Sequence, residues 1–196
     1  HLAQEEVAQR VDAELALGEA LLARARNAIA AEFGQPAPRE SDHPALHEKG
    51  ATLVTLTQAG RLRGCIGSLE AHRPLLDDVR ANARAAAFRD PRFPPLTAEE
   101  LSRTRVEVSL LTSATPMVFA SEEDAVRQLR PGIDGVILEA GGRRGTFLPQ
   151  VWESLPEPRI FLAHLKQKAG LPADFWAPDV KLFRYEVQKW KEPPRP

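Results

Sequence analysis

The sequence predicts an α+β fold in which helices flank a mainly antiparallel β-sheet. Helix-like and strand-like patterns alternate along the 196 residues, but most strand-like segments are joined by turns too short for a parallel crossover. Residues 51–57 and 62–68 make one such pair, and residues 135–140 and 145–148 make another. The glycine-rich phosphate-binding motifs of doubly wound parallel folds do not occur in the sequence. Tight hairpins therefore favour antiparallel pairing.

The composition excludes several classes of protein. Hydrophobic residues make up 43% and charged residues 27% of the chain, which is typical of a globular domain, and the formal net charge is −1. A near-neutral charge does not favour a general nucleic-acid binder, and no apolar run approaches the roughly 18 residues of a membrane span. The single cysteine excludes an internal disulfide and a multi-cysteine metal site, and we expect a reducing, cytoplasmic setting.

The first predicted element is an amphipathic helix over residues 7–33, where apolar side chains recur at steps of three and four. Gly34 and Pro36 end this helix. His43 and His47 follow in a loop, where their spacing imposes no geometry and where nothing completes a set of metal ligands. We therefore expect neither a metal site nor a cofactor.

The middle of the chain continues from the first hairpin with two helices and a strand. A proline opens a helix at residues 74–86, and a stiff proline-rich loop follows at residues 90–95. Thr97 and Glu100 have the spacing of a capping box for a short helix. Residues 105–112 alternate apolar and polar side chains, which predicts a strand with one polar face.

The last third of the chain is predicted to contain a second hairpin between two helices. Ser121 caps the helix before the hairpin, and the second helix covers residues 158–169. Residues 180–190 have the pattern of one long strand. We treat residues 7–190 as a single domain and residues 191–196 as a flexible, proline-rich tail.

The only cysteine, Cys65, lies on the second arm of the first hairpin. Gly64 and Gly67 flank it, and Arg61 and Arg63 precede it. Glycines permit a close approach to the backbone, and nearby cationic charge favours the reactive thiolate. Cys65 is therefore a candidate nucleophile, and the alternative is a buried cysteine that packs as a small hydrophobe.

Five segments, in matching order, resemble landmarks of the AMMECR1 family. Residues 62–67, Leu-Arg-Gly-Cys-Ile-Gly, are similar to the signature hexapeptide of that family. The other segments are an alanine-rich helix with Asp-Pro-Arg-Phe at 86–93, a Val-x-Val-Ser-x-Leu strand at 106–116, Phe-Leu-Pro-Gln-Val at 146–152 and Lys-Ala-Gly-Leu-Pro at 168–172. Together they identify the chain as a member of this family.

The resemblance implies an α+β fold with a larger and a smaller lobe, which flank a cleft near the signature hexapeptide. It also implies a role as the A component of a system with Memo-like and radical-SAM proteins. Those two proteins are then the expected partners, together with an unidentified small molecule or peptide. The resemblance implies no particular substrate or reaction.

Two interpretations of the site remain open, and the first is an enzyme. Cys65 would be the nucleophile or thiol carrier, and Glu107 the acid or base. Arg63 or Arg92 would bind an anion or favour the thiolate. No histidine adjoins Cys65 in the sequence, so a base would have to arrive through the fold.

The second interpretation is a non-catalytic module that binds a protein or an anion, because backbone amides beside glycines form anion sites without any catalysis. Nucleic-acid binding is a third, less favoured alternative, since it requires many arginines to converge on one face of a chain with few aromatics. The candidate ligand-binding residues are Arg63, Gly64, Gly67, Ser68, Asp90, Arg92, Ser109 and Gln150.

Overall fold

The computed structural model describes residues 2–196, which form two compact units. The first unit contains the chain up to Leu111 together with Gln188–Pro196, and the second unit contains Thr112–Val187. Each unit is built on a four-stranded sheet of antiparallel strand pairs, and helices pack against it. The predicted α+β class is confirmed.

The helices and strands follow one another in the order that the sequence predicts, except that one short strand is added and the last predicted strand is divided in two. In chain order they are α1 (Leu2–Glu32), β1 (Ala51–Gln58), β2 (Arg61–Gly67), α2 (Leu75–Phe88), α3 (Ala98–Leu101), β3 (Arg105–Leu111), β4 (Thr115–Pro116), α4 (Glu122–Gln128), β5 (Gly135–Ala140), β6 (Arg143–Phe147), α5 (Pro158–Lys168), β7 (Lys181–Tyr185) and β8 (Val187–Lys191). Single 3₁₀ turns occur at Pro44–His47 and Pro149–Glu153.

The sheet of the first unit has the strand order β2-β1-β3-β8, so β2 is an edge strand. Val54 and Leu56 of β1, with Val106 and Val108 of β3, are fully buried in one core with apolar residues of α1 and α2. Because side chains alternate along a strand, the intervening residues lie on the opposite face of the sheet. That opposite face carries Cys65.

The sheet of the second unit has the strand order β4-β7-β5-β6, and α5 packs against it. Phe161 and Leu165 of α5 are fully buried in one cluster with Val136 and Leu138 of β5. Trp152 stacks on Phe161 with ring centroids 3.7 Å apart, which places this indole in the core.

The largest departures from the sequence prediction are at the two ends of the chain. Helix α1 begins at Leu2 rather than at residue 7. The single strand predicted over 180–190 is divided into two strands at Glu186. There the amide of Glu186 donates to Thr112 Oγ1 at 2.7 Å, and the amide of Thr112 donates to the Glu186 carbonyl oxygen at 2.8 Å. Strand β7 then joins the second sheet and β8 the first. An alternating pattern cannot show that a strand changes sheets.

The ordered fold extends into the predicted tail as far as Glu192. This carboxylate accepts hydrogen bonds from Arg26 Nε at 2.6 Å and Arg26 Nη2 at 2.7 Å. It also accepts the amide hydrogen of Val106 at 2.8 Å. Glu192 therefore ties the end of β8 to α1 and β3 within the first unit.

Candidate functional site

The signature hexapeptide lies within β2, the edge strand of the first sheet. The ladder with β1 pairs Cys65 with Thr55 and Gly64 with Leu56. At the next pair the register shifts, so Arg63 is an extra residue on β2. The bulge lies directly before Gly64.

The two glycines of the hexapeptide are required by packing within the protein. A Cβ atom on Gly64 would overlap the carbonyl oxygen of Ala86 in α2, and one on Gly67 would overlap Leu53 Cδ1 and lie 2.8 Å from the carbonyl oxygen of Thr52. Real Cβ atoms do not come so close to other heavy atoms, so a larger residue at Gly64 would push β2 away from the helix backbone. The close approach that these glycines permit is the approach of α2 and of a neighbouring side chain.

Asp90 and Arg92, from the loop after α2, cover the outer edge of β2 at Cys65. The Cys65 amide donates to Asp90 Oδ2 at 3.0 Å, and Arg92 Nη2 donates to the Cys65 carbonyl oxygen at 3.4 Å. Arg92 also donates to both oxygens of Asp90, from Nη2 at 2.7 Å and from Nε at 3.0 Å. The pair satisfies both backbone groups of Cys65 and prevents another strand from pairing there. We call this arrangement the edge clamp.

The electrostatics of the edge clamp keep both of its members charged. The Arg92 guanidinium holds the pKa of Asp90 well below its usual range, and the amides of Cys65 and Arg92 add to this effect against the opposing effect of burial. Asp90 raises the pKa of Arg92 in return. The Asp90 side chain is 2% exposed and the Arg92 side chain 55% exposed, so solvent reaches only the cation.

Arg63 forms a second ion pair beside the edge clamp. Its Nε donates to Glu100 Oε2 at 2.8 Å, and its Nη2 donates to Glu100 Oε1 at 3.2 Å and to the Pro94 carbonyl at 2.8 Å. This fork lowers the pKa of Glu100 to about 2. The ring centroid of Phe93 lies 5.8 Å from Arg63 Cζ and 5.5 Å from Arg92 Cζ. Arg63 is 8% exposed and is bound to the protein itself.

Ser68, the residue directly after β2, belongs to a buried polar network. Asp78 Oδ2 accepts the amide of Thr52 at 2.8 Å and its hydroxyl at 2.7 Å. Asp78 Oδ1 accepts the Ser68 hydroxyl at 2.7 Å and Arg73 Nε at 2.8 Å. Asn82 Nδ2 donates to the Thr52 carbonyl at 3.0 Å. This buried polar network joins the beginning of β1 to α2.

Sequence reasoning missed Thr52, Asp78 and Asn82 as parts of this region. Asp78 lies in the first turn of α2, where a carboxylate also suits the positive end of the helix dipole, and Asn82 lies beside Ala83 on the buried side of the helix. A polar side chain on a buried stripe needs hydrogen-bond partners, so Asn82 was the signal that an internal network exists.

A row of polar side chains crosses the opposite face of the sheet. Thr55 is paired with Cys65 across β1 and β2 and with Glu107 across β1 and β3, so the three side chains share one face. Cys65 Sγ and Thr55 Oγ1 share a hydrogen bond at 3.3 Å. Glu107 Oε1 lies 3.3 Å from Nζ of Lys191 in β8. This polar row presents a thiol, a hydroxyl, a carboxylate and an ammonium group across four strands.

Two other candidate residues lie outside the polar row and the edge clamp. Ser109 is paired with Leu53 across β3 and β1 and is 3% exposed. It follows Glu107 by two residues on the same face of the strand. Gln150 is exposed in the 3₁₀ turn Pro149–Glu153 of the second unit, so it does not share a unit with the other candidates.

Two kinds of feature do not occur among residues 2–196. No group of three or more His, Cys, Asp and Glu side chains in this part of the chain is arranged to hold a metal ion. No helix of the same residues is both long enough and apolar enough to cross a membrane.

Comparisons with known proteins give relatives across most of the chain. A protein of Methanothermobacter thermautotrophicus is 41% identical over 151 residues, which cover 74% of this chain and 77% of the relative. Protein MK0488 of Methanopyrus kandleri is 36% identical over 186 residues, which cover 89% of this chain and 88% of the relative.

The crystal structure of the uncharacterized protein PH0010 from Pyrococcus horikoshii has the same fold. It superposes with a TM-score of 0.74 at 36% sequence identity, and the match covers 89% of this chain and 91% of that chain. The sequence profile of the AMMECR1 family matches residues 22–190, which include the edge clamp and, apart from Lys191, the polar row. This chain therefore belongs to the AMMECR1 family.

Proposed function

We propose that this protein binds a small polar ligand on the polar face of its first sheet, as a cytoplasmic component of a pathway that includes Memo-like and radical-SAM proteins. The observation that carries the proposal is the polar row. Cys65, Thr55 and Glu107 place three different hydrogen-bonding groups side by side on adjacent strands. Strands of one sheet hold such groups at fixed spacing, which is what selective binding needs.

The edge clamp supports the same proposal from the side of β2. Arg92 lies next to Cys65, and its half-exposed guanidinium is held in place by the buried carboxylate of Asp90. A cation that is oriented by the protein binds an anionic group with little loss of side-chain entropy. We therefore expect the ligand to carry an anionic group that meets Arg92 and hydrogen-bonding groups that meet Thr55 and Glu107.

The alternative is that Cys65 is a nucleophile. The thiol is partly exposed and shares a hydrogen bond with the Thr55 hydroxyl, which favours an accessible sulfur over a purely structural one. Glu107 is one strand beyond Thr55 and forms an ion pair with Lys191, so it does not contact the thiol as a base. A non-catalytic binding module is therefore the better-supported of the two functions.

Ligand capture tests the binding proposal directly. The purified protein is incubated with a small-molecule extract and examined by native mass spectrometry, with Glu107→Gln and Thr55→Val variants in parallel. We expect a retained compound on the wild type and at least about a tenfold loss on Glu107→Gln, because one hydrogen bond to a charged group is removed. Thr57→Val, which changes the next residue on the same face of β1, is the matched control.

Equal retention by the wild type and Glu107→Gln would contradict the proposed site. The nucleophile alternative is tested by the rate at which Cys65 reacts with iodoacetamide at neutral pH. A rate above that of a free thiol would favour the enzyme, and a slower rate would favour binding alone. Co-purification with the Memo-like and radical-SAM proteins tests the pathway, and no association at micromolar concentrations counts against a stable complex.

A further inference from the structure

A polar cavity lies at the tip of the β5–β6 hairpin in the second unit. It has a volume of about 450 Å³, and cationic side chains outnumber carboxylates in its wall. The hairpin turn is made by Gly141 and Gly142, which have φ angles of 57° and 76°, and the space beside their missing Cβ atoms is open. The charged lining residues are Glu139, Arg143, Arg144, Asp179 and Lys181.

Contacts within the hairpin engage both carboxylates of this cavity. Arg144 Nε lies 3.3 Å from Glu139 Oε1, and Asp179 accepts the Gly141 amide at 3.1 Å. Lys181 is directly opposite Glu139 on β7, so one carboxylate is flanked by two cations on adjacent strands. The cavity keeps a surplus of positive charge, which suits an anionic group.

An apolar cavity of about 320 Å³ adjoins this polar cavity along β7. Lys181 lines both cavities. The remaining wall of the apolar cavity consists of Pro116, Met117, Phe119, Val180, Leu182 and Phe183. Val118, in the same loop, is 88% exposed. The cavity with the cationic surplus and the apolar cavity therefore meet at Lys181, and we call the two cavities together the β7 groove.

We infer that the β7 groove binds an amphiphilic anion, a carboxylate or phosphate group carried on an apolar chain. The anionic group lies at the Gly141-Gly142 turn beside Lys181, and the apolar chain lies against Met117 and Phe119. The combined volume of the two cavities is in the range of small-molecule sites. Only the two cavities together offer a cationic wall for the anionic group and an apolar wall for the chain. This site is in the second unit, so it is independent of the polar row and of the edge clamp.

The single methionine of the sequence is the reporter for this site. Because Met117 lines the apolar cavity, ¹³C-methyl labelling of methionine places one NMR probe at the point where the apolar chain would lie. The protein is titrated with octanoate below its micelle-forming concentration, and with acetate and 1-octanol. We expect octanoate to shift the Met117 signal in a saturable way. Its affinity should exceed that of acetate by at least about tenfold, which burial of about two methylenes can supply. It should also exceed that of 1-octanol, because only octanoate carries the anionic group that meets Lys181.

Lys181→Glu tests the cationic end of the β7 groove. We expect this variant to bind octanoate at least about tenfold more weakly, since a carboxylate would face the anion in place of an ammonium group. Lys189→Glu makes the same charge change on an exposed lysine of β8 and should leave the octanoate affinity unchanged. A circular dichroism melt of each variant confirms that the fold is retained.

Three outcomes would overturn the inference. The first is no saturable shift of the Met117 signal with octanoate. The second is an equal response to octanoate and 1-octanol, which would show that the charge is irrelevant. The third is an octanoate affinity that Lys181→Glu and Lys189→Glu change to the same extent, which would indicate a general effect of charge.

Discussion

Two aspartates hold the signature strand, and they do so in opposite ways. Asp78 is fully buried, and hydrogen bonds from the sheet, from α2 and from the loop between them surround its carboxylate. Asp90 is also buried, but its main partner, Arg92, is 55% exposed. Asp78 therefore belongs to a closed network, whereas Asp90 orients a cation toward solvent.

This difference between the two aspartates separates residues that stabilise the fold from residues that are proposed to bind a ligand, within one short segment of the chain. Ser68, the residue after the hexapeptide, is bound into the buried polar network, where its hydroxyl donates to Asp78 and accepts from Asn82. Cys65, three residues earlier, lies under the edge clamp and beside the polar row. Substitutions at the first aspartate should change folding, and substitutions around the second should change what the protein binds.

The largest effect is expected for Asp78→Ala. Removing this carboxylate leaves the amide and hydroxyl of Thr52 and the charge of Arg73 without their acceptor, so the free energy of unfolding should fall by about 3–5 kcal/mol. Urea unfolding followed by circular dichroism measures the loss. Asp77→Ala, at the exposed neighbouring position of α2, is the control and should change stability by less than about 0.5 kcal/mol. Similar losses for both variants would refute the closed network.

Asp90→Asn should cost less than the loss of Asp78. The amide keeps one acceptor for the Cys65 amide, and the half-exposed Arg92 can turn into solvent, so we expect a loss of about 1–2 kcal/mol. The same urea titration measures it. A loss as large as that of Asp78→Ala would mean that the edge clamp is a folding element and would remove the contrast between the two aspartates.

Acid should weaken the edge clamp and its neighbouring ion pair. Folding lowers the pKa of Glu100 from 4.5 to about 2, and it lowers the pKa of Asp90 as well. A carboxyl whose pKa is depressed on folding contributes its stability in full above its unfolded pKa and loses it as the pH falls toward the folded value. Stability should therefore decline from about pH 4.5 towards pH 2. Urea titrations between pH 4.5 and about pH 2 measure this decline in stability. Glu100→Gln should make the decline shallower, and an unchanged dependence of stability on pH would contradict the prediction.

The smallest effect on stability is expected for Cys65→Ser. The side chain is only partly buried, and a hydroxyl can keep the hydrogen bond to Thr55, so the loss should be about 0.5 kcal/mol or less. Thermal melts measure this change, and ligand capture on the same variant shows whether the sulfur itself is needed. A loss above about 2 kcal/mol would indicate a structural thiol and not a functional one.

The sequence predicted much of the fold and part of the candidate site. Hydrophobic period and turn chemistry are local properties, so they located the hairpins around Gln58 and Gly141 and placed Cys65 on the second arm of the first hairpin. The family landmarks singled out Asp90 and Arg92, and the fold brings both to Cys65. Their roles in binding stay predictions.

Tertiary structure decided which of these residues face each other. There is no room for a Cβ atom at Gly64 or Gly67, because α2 and Leu53 pack close to them. These contacts depend on how segments far apart in the chain pack together. The change of sheet at Glu186, the pairing of Arg63 with Glu100 and the network around Asp78 likewise depend on contacts between segments far apart in the chain. Local patterns determine periodicity and turns, whereas partners of buried polar groups are determined only when the chain packs.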